Sequence, residues 1–461
     1  MKLIRAFLSR TPALALLALL MSALTLSVVY AGGYAAFGGS TAALRGQIAQ
    51  AFAAGDLPRQ TTDTPDRRNG SLTYNDCLIL TMAANDSQPR LLKTITPAPV
   101  EAIDDRALDS NTCEMLYRYV VEGRVSEFRS WPYHRYVSAF VAPVAALAPV
   151  LGVAGLRRAL ELLNYAAVAL IGLAAALSLS RLPPSEEAAR LRMAAGCILS
   201  LVLLGFFGME FYSMNLSIGL AEPVVFALLA MLLFGRVLDW STVRFGAWVS
   251  LAFALITSLE FWTGQIPFAA AAGVGLIGLH VATPDDAPRA ARRALEFLFV
   301  AGATIALTFA LKIAVASAVF GENVLANFMH QLEVRVGDRE YGLVNLVLHM
   351  AGRADHIGQG SLTLGLLSGL AAALAFAWGL WRVASAPPSE ETAVARLRIG
   401  FLLASVAVVL GWHLLFRNHS TIHSEFMVRT FAWVWAAGWI GLAVGLRLPA
   451  ARRTWQAVPA K

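Results

Sequence analysis

The chain has 461 residues, of which 57% are hydrophobic and only 15% charged, with a mean hydropathy of +0.60. Soluble domains carry roughly 25% charged residues, so a soluble enzyme, a disordered chain, a collagen-like repeat and a disulfide-rich secreted scaffold are excluded. The net charge of +7 sits on basic residues scattered singly between apolar runs, which speaks against nucleic acid as a partner.

What remains is an all-α polytopic membrane protein. A crossing helix needs about 20 mostly apolar residues. Residues 11–34 form the first run, behind Lys2, Arg5 and Arg10, and make residues 1–35 an N-terminal transmembrane anchor. A cleaved signal peptide ending near Tyr30-Ala31-Gly32 is the competing reading, but the apolar run is longer than a usual signal core. Residues 36–157 are the long polar stretch, expected to be a helical periplasmic and interfacial loop domain. Further spans are expected at 158–180, 191–209, 217–234, 245–259, 265–281, 294–320, 362–380, 399–416 and 427–446. That makes about ten, with residues 158–461 a multi-span domain carrying a second outer loop at 321–360.

Residues 136–153 are apolar enough for an eleventh span. The positive-inside rule decides against it. With ten spans, Arg190, Arg236, Arg292 and Arg396 all fall in inner loops, and the short turns near Glu210 and Glu260 contain no Lys or Arg. Residues 136–153 are therefore expected to lie on the outer face as an interfacial or re-entrant helix. Arg157 and Arg158 then sit on the outer side, against the rule. Cys77 and Cys113 share the oxidising compartment, where a disulfide between them is expected; Cys197 lies in a span.

Ionisable groups in spans are costly and commonly functional. Glu161, Asn164, Glu210, Glu222, Glu260, Lys312, His413 and Arg429 all fall in the outer half, whereas the inner halves read as almost purely apolar. A transporter needs polar groups reachable from both faces; this pattern describes a vestibule open to one side.

Four constellations furnish it. Asp76, in Asn75-Asp76-Cys77, enters an apolar helical run and reads either as a general base for a hydroxyl acceptor or as a first-turn acid. Arg417, Asn418, His419, His423 and Arg429 surround the turn before the last span. The two histidines, four apart, share a face if the turn is helical. The group suits a phosphate at headgroup depth, with a metal pair or snorkelling side chains as the other readings. Glu260, in Leu259-Glu260-Phe261-Trp262-Thr263, can pair with Lys312 or Arg429, hydrogen-bond a sugar or bind a cation; Glu210 is a weaker version of the same turn. Finally, Trp131-Pro132-Tyr133-His134-Arg135-Tyr136 reads as belt aromatics or as a sugar platform in which His134 lines the cavity and Arg135 meets a phosphate.

Together these residues resemble the GT-C class of membrane glycosyltransferases. Asn75-Asp76-Cys77, the Leu259–Thr263 turn, Asn418-His419-Ser420, His423 and Arg429 are similar to multi-pass proteins associated with bacterial surface-polysaccharide genes. The resemblance implies a polyprenyl-phosphate-linked sugar donor, used on the outer face of the bacterial inner membrane. A glycan, lipid or protein would be the acceptor. In that class an Asp in the first outer loop acts as base, and Asp76 is the matching position. The class pattern places a second acid close by; here Asn75 precedes Asp76, and Asp104 and Asp105 are the reserve. No cofactor is implied beyond a possible divalent cation. A polymerase of lipid-linked glycans and a flippase for lipid-linked oligosaccharides are the alternatives.

Overall fold

The computed structural model describes residues 2–61, 73–104, 111–260, 264–321, 323–336 and 342–448. Ten helices build the bundle: α1 (Thr11–Ala36), α2 (Val141–Arg181), α3 (Glu187–Phe206), α4 (Ile218–Phe234), α5 (Thr242–Leu259), α6 (Gln265–Gly278), α7 (Ala287–Phe320), α8 (Leu362–Ser385), α9 (Glu390–Leu415) and α10 (Phe431–Leu446). Their starts follow local chemistry. Ser241, Ser361 and Ser389 accept backbone N–H groups at the first turns of α5, α8 and α9, at 3.2, 3.2 and 3.1 Å.

Among the described residues, eight helices are long and apolar enough to cross a membrane, α10 counting with the turns before it as Ser424–Leu446, while α4 and α6 fall short at 17 and 14 residues. The expected ten spans are thus eight full-length helices and two shorter ones. At 14 residues α6 rises about 21 Å, less than the roughly 30 Å of a hydrocarbon core. It meets little lipid: every residue from Gln265 to Gly278 except Ala270 is buried against neighbouring helices. Where α8 and α10 touch, glycine is required by proximity. A Cβ at Gly379 would lie 2.3 Å from the Gly441 oxygen, and one at Gly438 would lie 2.4 Å from that of Ala372.

Residues 141–151, expected as part of a separate interfacial helix, run directly into the next span as α2. The join is a break at Gly152 (φ 72°, ψ 164°), three residues after Pro149. Without that break a 41-residue helix would extend about 61 Å, twice a bilayer core.

Successive helices reverse direction, so their connections collect at two ends. At one end the loop domain packs on the bundle, with Ala139 N–H donating to the Ser258 oxygen (3.0 Å) and Lys312 donating to the His134 oxygen. At the other, Arg398 donates to the Val281 oxygen (3.0 Å) and Arg447 to that of Glu187 (2.9 Å). The second end is not purely apolar, contrary to expectation. Glu296, fully buried, meets Arg293 at 2.5 Å and Arg10 at 3.2 Å. Arg293 counts as a loop charge in the sequence, but α7 begins at Ala287 and carries it inside the bundle.

The loop domain is built on helices Thr41–Ala54, Thr73–Ala84 and Thr112–Val120 and an antiparallel strand pair that sets Val100 opposite Ser130. Its core joins Ile79, Leu80 and Leu116 to Phe140 and Val144 of the bundle side. Cys77 and Cys113 are disulfide-bonded, tying the second of these helices to the third across 36 residues of chain. Lys93 is 5% exposed and donates to the Ala83 and Asn85 oxygens at 2.7 and 2.6 Å, occupying carbonyls left open at the end of Thr73–Ala84.

Replacing Cys77 by Ser should cost about 2–4 kcal/mol, read as an earlier denaturation midpoint in detergent that reductant reproduces in the parent. Burial pushes the Lys93 amine down to about 8 from 10.5. The unfolded chain therefore holds that proton across an interval where the folded one does not, and stability should rise from pH 8 to 10.5. Lys93→Met should flatten that part of the pH profile.

Candidate functional site

The segment from Phe207 to Ser217 turns back between α3 and α4 at the loop-domain end, and buried polar side chains grip it from two directions. On one side stands Asp76, in the first turn of Thr73–Ala84. Its Oδ1 accepts the Leu216 N–H at 2.8 Å. Its Oδ2 accepts Nε and Nη2 of Arg157 at 2.9 and 2.5 Å, and Nη1 of the same arginine donates to the Asp56 oxygen at 2.8 Å. The two side chains are 0% and 4% exposed. A general base needs an oxygen open to the acceptor hydroxyl. Both oxygens of Asp76 are engaged and shielded in this structure, where Asp76 positions the turn.

On the other side stands Arg429. Its Nε donates to the Phe207 oxygen at 2.9 Å, its guanidinium pairs with Glu222, and it lies 4.0 Å above the Phe207 ring and 4.5 Å above that of Tyr212. Glu222 also accepts the Ser213 hydroxyl at 2.7 Å. Asn164 donates to the Leu160 and Gly219 oxygens at 3.0 and 2.9 Å, pinning the start of α4. The Tyr212 hydroxyl donates to the Glu425 oxygen, so the segment also touches the turn before α10.

That turn holds most of the expected anion site. Arg417–Ile422 is helical, as the spacing of the histidines requires, and the rings of His419 and His423 meet at 4.8 Å. His423 stacks on Phe426 at 4.9 Å and lies 3.5 Å from Glu425. Inside α9, His413 binds the Ser420 and Thr430 hydroxyls at 2.9 and 2.8 Å, stapling the turn's first half to its second. Arg417 and Asn418 sit at its start, with Asn418 4% exposed. Arg429, expected to meet phosphate directly, is 1% exposed and committed to Glu222, with Nη1 the nitrogen that has no hydrogen-bond partner.

The other expected residues lie around this centre. Glu210 belongs to the short helix Met209–Tyr212 inside the gripped segment. Glu260 is 1% exposed and accepts the Gln265 N–H at 2.7 Å, capping α6; the acid that meets Arg429 is Glu222. Phe261, Trp262 and Thr263 lie outside the described residues. Lys312 and His134 meet each other, and Arg135 lies 5.4 Å from the Tyr133 ring. Of the reserve acids, Asp104 is exposed and shares a shallow pocket with Arg118, and Asp105 lies outside the described residues. Among the described residues, no group of three or more His, Cys, Asp or Glu is placed to hold a metal ion.

Four participants, Arg157, Glu222, Asp355 and His356, belong to none of the four constellations of the sequence reading. Arg157 breaks the loop-charge rule, and that violation was its signal, since a cation on the wrong side invites a buried partner. Glu222 is the acid of an otherwise apolar helix. His356 and Asp355 carry no signal inside a stretch read as loop. They meet at 3.0 Å (Nδ1 to Oδ1), with the buried imidazole stacked 6.2 Å from Tyr212.

No family model, curated protein or solved structure matches this chain.

Removing one partner of a buried ion pair strands the other. Asp76→Ala and Arg157→Ala should each cost about 3–5 kcal/mol, while Asp76→Leu combined with Arg157→Met should recover much of the loss. Denaturant unfolding of the four proteins in one detergent reads the coupling.

Proposed function

We propose that this chain is a polytopic membrane glycosyltransferase of the GT-C kind. In this reading ten helices cross the bacterial inner membrane, α4 and α6 being completed by their flanking turns, and the 207–217 and 417–430 segments face outward. The donor is a sugar on polyprenyl phosphate, and the acceptor is a glycan, lipid or protein hydroxyl. The Cys77–Cys113 disulfide supports the orientation, since such bonds persist in oxidising compartments.

One observation carries the proposal. An apolar cavity of about 790 Å³ lies between helix Leu343–Gly352, α8, α9 and α10, lined by Leu346, Met350, Leu366, Leu410 and Trp435. His413, Val428 and Phe431 form its wall toward the cationic turn. A greasy cavity with His413 in its wall, on the side of the turn that carries Arg417 and Arg429, suits a prenyl chain with a terminal phosphate. Nη1 of Arg429 and Nε of Arg417 are buried without hydrogen-bond partners and remain as donors to that phosphate. They would stabilise the charge that grows there as the glycosidic bond breaks.

Two groups can take the acceptor's proton: Asp76, on release of Arg157 when the acceptor binds, and His356. The Nδ1 of His356 faces Asp355, an acid that would stabilise the imidazolium formed when the ring takes up a proton. Its neighbours Ala354 and Ile357 line the cavity. A second reading, a flippase for the same lipid-linked sugars, is favoured by the ionic groups found at the opposite end of the bundle.

The test is reconstitution in nanodiscs with a polyprenyl-phosphate donor labelled in its sugar, plus an envelope extract as acceptor. Transfer should fall by about 10²-fold or more in His356→Gln and in Arg417→Gln. Unchanged transfer in both variants contradicts the reading. Movement of intact donor across a liposome without bond cleavage would favour the flippase.

A further inference from the structure

At the end of the bundle away from this site, the connections before α3, α5, α7 and α9 enclose a cavity of about 800 Å³. Most cations around it are already neutralised. Arg236 pairs with Asp239 at 3.0 Å, Arg398 with Glu187 at 3.1 Å, and Arg289 with Asp286.

Arg192 differs. It rises from the second turn of α3 into the same cavity, its Nε is buried without a hydrogen-bond partner, and among the described residues no ion pair or hydrogen bond holds its guanidinium, although the more distant charges of Asp239 and Glu186 act on it. His280 offers it no acceptor: that imidazole is 7% exposed and its Nε2 faces the Leu232 oxygen at 2.8 Å. The acids left over, Glu186, Glu390 and Glu391, are exposed at the mouth.

A partly desolvated guanidinium without an anion is unfavourable unless something is brought to it. Its planar fork matches the paired oxygens of a phosphate. The acids at the mouth disfavour polyanions such as nucleic acid, and what favours a compact oxyanion is the fork of Arg192 inside. We propose that this cavity is a second binding site, in which Arg192 holds a phosphate carried by a small molecule or by a lipid headgroup. The assignment rests on geometry at the opposite end from the glycosyl-transfer site and does not depend on that function.

The experiment follows thermal unfolding of the full chain. One arm uses a neutral detergent with inorganic phosphate or with chloride at equal ionic strength. The other uses nanodiscs of phosphatidylcholine with or without phosphatidylglycerol. The parent should gain several degrees from phosphate, from phosphatidylglycerol or from both. A response to phosphate identifies a free ligand, and a response to phosphatidylglycerol alone identifies a headgroup. Arg192→Gln should lose that gain while melting higher than the parent without ligand, because the uncompensated charge is gone. Arg192→Lys, which keeps the charge without the fork, should keep a smaller gain, and it carries the test if the glutamine variant does not fold. An equal gain in parent and variants, or no gain in either arm, overturns the proposal.

Discussion

Two buried ion pairs hold the functional end of this protein together. Asp76–Arg157 and Glu222–Arg429 have side chains no more than 4% exposed, and each fastens the 207–217 segment by a backbone group, Leu216 N–H for the first and the Phe207 oxygen for the second. Ionic groups at such depth are expensive to desolvate and are tolerated when each finds a partner with good geometry. Their contribution is to fix position more than to add stability. Through them the loop domain, the turn between α3 and α4 and the turn before α10 become one unit, although their residues lie far apart in sequence.

That unit separates holding from chemistry. Asp76, Arg157, Glu222 and Asn164 satisfy backbone groups and one another, which makes them scaffold. In the proposed reading, Arg417, His419, His423 and the Asp355–His356 pair, whose neighbours His413, Ala354 and Ile357 line the apolar cavity, are the groups a phosphate and a hydroxyl would meet. Asp76 shows why burial has to be read with hydrogen bonding: in this structure both its oxygens are taken, and it fastens the turn.

Much of this was legible in the sequence. The order of apolar runs places all ten bundle helices, the separation of Cys77 and Cys113 from the spans marks the disulfide, and the spacing of His419 and His423 foretells their contact. Other features were hidden for identifiable reasons. Hydropathy does not distinguish a span from a short helix walled in by its neighbours, so α6 reads as full length. Charge counting assigns cations to loops, which concealed Arg293 against Glu296, whereas Arg157 stood out by breaking the rule. The Asp355–His356 pair acquires meaning only when the chain folds it against Tyr212. Nor can the sequence reveal that Arg192, alike in type to its neighbours, is the cation they leave without a counterion.

The central claim is that the loop domain and the 417–430 turn share one face, with the Arg236 loop on the other. Side-selective labelling of single cysteines at Asp104, Ile422 and Arg236 in sealed vesicles with an impermeant maleimide tests it directly. All three positions are exposed. The account predicts that residues 104 and 422 react from the same side and residue 236 from the opposite one. Labelling of 104 and 422 from different sides would contradict it.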